Sequence, residues 1–416
     1  MNIVLTRLRQ WLPDLDTRIW ILAGGRLLSQ VGIGFTLFYA PIFFVSQVGL
    51  SATQVGIGIG LGSVTGLIGR ILAGSWVDSP TWGRRPTLLV SALVSAAADG
   101  VLVLAQGFPL FLLGNVLMGF GVGLYWPATE TVAADLTAAQ QRNEAYALVR
   151  LADNVGLGLG VVFGGLLISL TGAYRALFVV DGITFLLFFG IIYGAIAETR
   201  PPGNPPKAFW QGWGQALRDR PLLVFTLVNI LLTSYLAQVQ STLPVYLNQV
   251  ATTATGSGFS EGTLSLLFTG HVVLAVVAQL PMARWLKQYP PTQGLAGSAL
   301  LWGVGFCLVW LTGTQTGSYL WAGLALGVMA LAMVAYTPIA SALVVAMAAD
   351  DQRGVYLSVN SLAWAFGYLV APPLGGWALD QGTATAHGFW LGLALTVLPL
   401  WGILYWLNRQ LKRRGL

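Results

Sequence analysis

Twelve apolar stretches, each long enough to cross a bilayer, occupy most of this chain, at 19–46, 52–77, 86–106, 108–132, 145–170, 175–196, 221–247, 262–285, 293–313, 318–347, 355–379 and 388–408. A helix needs about 20 apolar residues to cross the hydrocarbon core. Inside that core each peptide group must be satisfied within its own segment or barrel, so runs of this length read as spanning helices. With 56% apolar residues, 9% charged residues and a mean hydropathy of +0.72, a water-soluble protein of 416 residues is excluded. An all-α polytopic membrane protein with about twelve transmembrane helices is expected.

Those helices fall into two sets of six. Residues 125–165 return as 336–376 at an offset of 211 without a gap, and 10 of the 41 aligned pairs are identical. What recurs is structural punctuation: Tyr125, Pro127, Gln141, Arg142, Gly156, Gly164 and Gly165 meet Tyr336, Pro338, Gln352, Arg353, Gly367, Gly375 and Gly376. Such residues kink helices, cap them or let them pack closely. Between the sets, the polar and proline-rich stretch from Glu198 to Lys207 cannot span and reads as a linker. The expected organisation is a six-helix bundle over 1–196, a cytoplasmic linker over 197–220 and a second six-helix bundle over 221–416.

Charge sets the orientation. With alternating helices, 17 of the 21 Lys and Arg fall on one side, in both tails, the linker and short loops, while only Arg175 lies in an opposite loop. Both termini are therefore expected in the cytoplasm of a plasma (inner) membrane protein. The net charge of +6 is a topology signal spread over several loops, and it gives no reason to expect a nucleic-acid partner. Residues 1–18 hold Arg7, Arg9, Pro13, Asp14 and Asp16 with no apolar core, so no removable signal peptide is read. One cysteine, Cys307, and two histidines, His271 and His387, exclude an intramolecular disulfide and argue against a metal site or cofactor. No nucleophile constellation, nucleotide loop or large soluble domain points to an enzyme or a receptor.

The sharpest motif follows the second helix, from Gly74 through Asp78 to Gly83-Arg84-Arg85-Pro86. It resembles the signature of the major facilitator superfamily, in which a glycine and an aspartate precede a glycine and paired bases. The resemblance implies two parallel six-helix repeats about a central cavity and a cytoplasmic latch that holds the halves together in the outward-facing state. By resemblance Asp78 would face the start of the eleventh helix, and Arg84 or Arg85 would pair with Asp135, with Gly74, Gly83 and Arg142 completing the latch. Asp78 lacks the usual basic neighbour, and two extra residues precede Gly83. The run Gly156 to Gly165 resembles the fifth-helix motif of the superfamily's proton-coupled exporters, with Val161 in place of the usual proline. Asn115 stands where those exporters usually carry an arginine four residues before Gly119.

Polar residues inside spans are expensive in lipid and mark function or helix pairing. Arg26, with Gln30 one turn on, suits an anionic substrate, a carboxylate partner such as Asp99, or the interface. Arg150 and Asp153 can pair with each other or with Glu130. Asp99 and Asp153 are candidate proton carriers, together with Arg26; Asp181, near the outer end of its helix, is expected to be satisfied by Arg175 or water. His271 either titrates near neutral pH or bonds a neighbouring helix. Tyr125, Trp126 and Tyr336 flank the repeated prolines, and with Tyr39, Gln30, Asn115, Gln238, Gln240 and His271 they are candidates for a cavity wall.

The reading is a monomeric secondary transporter working by alternating access. Its leading form is proton-coupled efflux of a small amphipathic molecule. The alternative is uptake or facilitated diffusion of an anionic metabolite recognised by Arg26.

Overall fold

The computed structural model describes residues 15–79, 82–138, 141–199, 213–251, 258–316, 318–348 and 353–414. Twelve helices among the described residues are long and apolar enough to cross a membrane. The first half contains α1 (Thr17–Ser46), α2 (Ala52–Asp78), α3 (Arg84–Leu104), α4 (Phe108–Asp135), α5 (Arg142–Thr171) and α6 (Tyr174–Ala195). The second contains α7 (Arg220–Val250), α8 (Glu261–Leu286), α9 (Pro291–Thr314), α10 (Ser318–Met347), α11 (Arg353–Asp380) and α12 (Thr383–Lys412). Twelve crossings begin α1 and end α12 on one face, termed the terminal face; the opposite one is the far face.

Local chemistry explains where the helices start, stop and break. Ser51 and Gln54 form a reciprocal capping box at the start of α2. Gly172, in the left-handed region at φ 65°, closes α5 where a Cβ would be strained. Three spans that read as unbroken in the sequence are interrupted: α1 after Thr36, α7 at Ser241 and α12 at Thr396. Each break lies just ahead of a proline, Pro41, Pro244 and Pro399. A proline offers no N–H to the carbonyl four residues back and its ring clashes there, so the helix yields at that point. Part of the expected linker, 200–212, lies outside the described residues, and Trp213–Ala216 forms one short turn before α7.

The repeated glycines do two kinds of packing. Gly156 and its repeat partner Gly367 work within a half: a Cβ on the first would overlap the Leu27 carbonyl of α1, and on the second the Thr233 side chain of α7. Gly165 and Gly376 work between halves, against Ser265 of α8 and the Ala52 carbonyl of α2. The two halves therefore meet along α5 with α8 and along α11 with α2, as a twofold-like pair of seams. Helices in lipid gain no hydrophobic drive toward one another, so such close approach is what holds them.

The far-face ends of these seams are closed. Phe38 of α1 stacks on Phe268 of α8 with ring centres 4.4 Å apart, and Tyr174 donates to Glu261 across the halves at 2.7 Å. The Asp380 carboxylate at the end of α11 accepts the amides of Ala52 (3.0 Å) and Thr53 (2.8 Å) and the Thr53 hydroxyl (2.5 Å). It caps the start of α2, where a helix favours negative charge. Toward the terminal face the picture changes. Arg150 and Glu130 are 65% and 43% exposed although both lie inside spans. Charges inside spans are expensive in lipid, so such exposed side chains are expected to meet water rather than acyl chains.

Candidate functional site

Six polar and aromatic residues of the spans share one depth. At about 1.5 Å per residue from the helix ends, Arg26, Tyr125, Asp153, Asn229, Tyr336 and Trp364 all lie roughly 14–17 Å from the terminal face, near the middle of a bilayer core about 30 Å thick.

In the first half the layer is built on Arg26. Gly156 and Gly160 bring the α5 backbone onto α1, so the Arg26 guanidinium, 1% exposed, closes on Asp153 with two parallel bonds of 2.9 and 2.5 Å. This fork is the geometry that only a planar guanidinium offers a carboxylate. The same cation lies 5.4 Å from the ring centre of Tyr125 and 5.3 Å from that of Trp126, both on α4. Arg150 approaches the Trp126 ring to 5.9 Å and pairs with Glu130 at 3.0 Å. Two ion pairs thus flank one indole. Nη1 of Arg26 is buried without a hydrogen-bond partner.

The second half places neutral groups in the same layer. Tyr336 of α10 donates to the Asn229 side chain of α7, and the Asn229 amide donates to Asn360 of α11 at 2.5 Å. Trp364 lies 6.3 Å from Tyr336 and 6.2 Å from Tyr368, stacked on the latter. Tyr368 donates to Gln240 at 2.7 Å. Asn229, Asn360, Trp364 and Tyr368 were not read from the sequence as cavity residues. The 211-residue offset was the available signal, because it sets Trp364 opposite Asp153.

The structure decides between the alternatives for Arg150 and His271 and corrects several other placements. Asp99 is not the partner of Arg26: α5 lies against α1 at backbone distance, whereas α3 packs on α4 and α6. Arg150 turns to Glu130, not to Asp153, which Arg26 already holds. Tyr39 is buried at the far-face seam, where it donates to the Val161 carbonyl at 3.2 Å, so it does not line the central layer. Asn115 bonds back to Phe111 one turn earlier on its own helix and packs against Gly62 of α2. His271 is buried, with Nδ1 2.8 Å from the Leu326 carbonyl and its ring edge-on to Phe38, the environment of a core histidine. Gln238 is buried between α7 and α11 with its amide on the Ala371 carbonyl at 2.7 Å. Gln30 is buried against Gly156, beside the central layer. Arg175 bonds the carbonyls of Val103 and Ala105, leaving Asp181 to Thr36.

The loop after α2 ties the first half together. Arg84 pairs with Asp135 at 3.0 Å and also donates to the Val77 carbonyl. Gly83 has φ 85° and begins α3, and the Glu198 carboxylate accepts the amides of Arg84 and Arg85 there, both at 3.1 Å. Glu198 was missed because it lies 113 residues beyond Arg85. Arg85 donates to the Tyr193 carbonyl at 2.6 Å and stacks over its ring at 5.0 Å. A Cβ on Gly74 would meet nothing within 4 Å, so no helix presses on it. The Asp78 and Arg142 side chains lie outside the described residues.

The sequence pattern of the Major Facilitator Superfamily matches residues 22–256 and 247–415. A multidrug resistance protein MdtH of Aeromonas hydrophila subsp. hydrophila is 27% identical over 371 residues, covering 87% of this chain and 87% of its own length. A Na(+), Li(+), K(+)/H(+) antiporter of Planococcus maritimus is 22% identical over 404 residues, 89% of this chain and 91% of its own. The fold is similar to that of the nucleoside transporter NupG, with a TM-score of 0.77 at 11% identity, covering 94% of this chain and 99% of that one. A bacterial homologue of the lysosomal transporter Spinster, in an inward-facing and occupied conformation, aligns with a TM-score of 0.74 at 15% identity over 94% of this chain and 96% of its own.

Proposed function

This chain belongs to the Major Facilitator Superfamily, and we propose that it is a proton-coupled exporter of small amphipathic molecules in the plasma (inner) membrane. As a member of that family it is a multi-pass secondary transporter. On our reading the terminal face is cytoplasmic, as the basic loops favour, and the molecule is in an inward-facing state, closed outside by Asp380, Tyr174 and Phe38.

The observation that carries export of an amphipathic solute is the midplane layer with half-buried aromatic side chains in both halves, Trp126 on one side and Trp364 and Tyr368 on the other, backed by the buried Tyr125 and Tyr336. Rings offer broad apolar area at low entropic cost, and the flanking ion pairs favour a solute with a polar or charged end. The multidrug resistance name of the MdtH relatives supports the same substrate class. Arg26 is buried and neutralised by Asp153, which weakens the reading of uptake of an anion.

The test uses proteoliposomes holding ethidium as the transported probe and an imposed pH gradient. Faster ethidium movement against the proton flow, abolished when the gradient is collapsed, is expected. Ethidium flux that is indifferent to the gradient in either direction overturns proton coupling.

A further inference from the structure

Away from the central layer, α1, α3 and α6 enclose a second acidic site. Asp99 and Asp181 are each 1% exposed. Asp181 Oδ2 accepts the Thr36 hydroxyl at 3.3 Å, but its Oδ1 and both oxygens of Asp99 are buried without any hydrogen-bond partner. The two helices are brought together by Gly182, whose Cβ would stand 3.3 Å from that of Asp99. Gly32 does the same for α1, since a Cβ there would overlap Asp181 Oδ1 and the Thr184 hydroxyl. The nearby cations are engaged elsewhere, Arg175 on the Val103 and Ala105 carbonyls and Arg26 on Asp153. From α1 the neighbours facing the pair are Gly32 and Thr36, from α6 Thr184, and the described residues of α4 packed on α3 near this depth, Phe111 and Gly114, carry no charge.

An ionised carboxyl can only accept hydrogen bonds. Two of them on facing helices, with three buried oxygens lacking donors and no cation engaged there, leave an imbalance that one proton would relieve, since a carboxylic acid can donate where a carboxylate can only accept. The site also has a mechanical connection. Thr36 is the last residue of the first segment of α1, immediately before the break that turns Phe38 onto Phe268 in the closed far-face seam. Asp99 and Asp181 lie about 8 and 10 Å from the far-face ends of their helices, closer to that face than the Arg26 layer.

We propose that Asp99 and Asp181 form the proton-carrying site of this transporter, holding one shared proton between α3 and α6 that acts on the far-face gate through Thr36. The proton enters from water on the far side when the seam opens, converting one carboxylate to an acid that donates to the other, and passes to water on the terminal face when that side is open, which leaves both carboxyls ionised again. No other bond is made or broken. The sequence reading had set Asp181 aside. The inference rests on the proton-coupled reading above and adds its location.

Infrared spectroscopy of the purified protein and ethidium transport in proteoliposomes test it together. Near neutral pH the wild type should show a protonated-carboxyl stretch that disappears in the Asp99→Asn/Asp181→Asn double variant. Each single variant should lose gradient-driven ethidium export by more than about tenfold while keeping ethidium counterflow, which needs no net proton movement. Absence of the band in the wild type overturns the shared proton, whether or not any variant folds. Driven export that survives in both single variants also overturns it. If a sodium gradient substitutes for the pH gradient in the wild type, the occupant is an alkali cation and the proton assignment falls. A wild type that ignores every gradient but shows the band, lost in the double variant, overturns proton-coupled export and leaves the proton-binding pair standing.

Discussion

Removing the Asp380 carboxylate should open the far face. Asp380 joins the end of α11 in one half to the start of α2 in the other through two backbone amides and the Thr53 hydroxyl. A negative charge at a helix start contributes about 0.3–1 kcal/mol when exposed, and hydrogen bonds to a charged group contribute about 1.5–3 kcal/mol. Asp380 is itself exposed, so the lower values apply, and about 1–2 kcal/mol is the expected loss for Asp380→Ala. That shifts the ratio of far-closed to far-open molecules by about 5- to 30-fold. Asp380→Asn keeps one acceptor and loses the charge, so a smaller shift in the same direction follows. The assay is distance measurement between spin labels at Gln106→Cys and Gln315→Cys, in the loops after α3 and α9, on a Cys307→Ser background that removes the one native thiol. A longer-distance population should grow from wild type through Asn to Ala. Distributions that coincide for all three proteins, or a shift toward the shorter distance, would refute the capping argument.

Four further outcomes follow from the geometry. Breaking the Arg26–Asp153 fork from one side leaves a buried, unpaired charge, so Asp153→Asn should cost about 3–5 kcal/mol, read as a fall in thermal stability in detergent; Arg26→Met with Asp153→Leu should recover most of it. Gly376→Val drives a side chain into the Ala52 carbonyl and should enlarge the far-open population in the same spin-label assay; no change would mean that the α2–α11 seam is not the gate. At the terminal face, burial pushes the Asp219 carboxyl up, but hydrogen bonds from Arg414 and Tyr356 outweigh it and hold the group below the usual carboxylate range. A depressed value means that this tether stabilises the protein above the ordinary carboxylate value of about 3.9 and fails as pH falls through the folded one. Arg414→Ala should therefore be less stable than wild type at neutral pH and converge with it in acid, as followed by thermal melts across pH. The fourth concerns Trp364 and is developed below.

The architecture was legible because it is written in long-range regularities: apolar run length, side-to-side charge bias and a gapless repeat. Each of these is a property of many residues and survives local exceptions. The central site was only half legible. Arg26, Tyr125 and Asp153 were singled out, since a charge or a repeated aromatic in a span is conspicuous, but their pairing was not. Which carboxylate meets Arg26 depends on which helix lies against α1, and that is decided by Gly156 and Gly160, residues that say "close packing" without naming the neighbour. Asn229, Asn360 and Trp364 were passed over because uncharged polar and aromatic side chains are ordinary in membrane helices. The breaks in α1, α7 and α12 were within reach, since each precedes a proline, yet a run of apolar residues reads the same whether straight or broken.

The repeat makes one asymmetry unusually informative. At equivalent stations the first half sets Asp153 beside the Tyr125–Arg26 cluster, and the second sets Trp364 beside Tyr336. One repeat position thus carries an ion pair in one half and a stacked indole in the other. An ion pair can change with protonation or with the approach of a charged solute, whereas an indole keeps one charge state and offers area, a π face and a single N–H donor. On the proposed function, this asymmetry predicts coupling in the first half, which also holds Asp99 and Asp181, and selectivity in the second. Trp364→Ala removes a face worth about 1 kcal/mol to a cationic aromatic solute, so the KM for ethidium should rise about fivefold while the dependence of its export on the pH gradient keeps its slope. Measuring initial rates over a range of gradients separates the two. Should Trp364→Ala flatten the gradient dependence as strongly as the loss of Asp99 does, coupling would be distributed over both halves and the asymmetry would have no functional meaning.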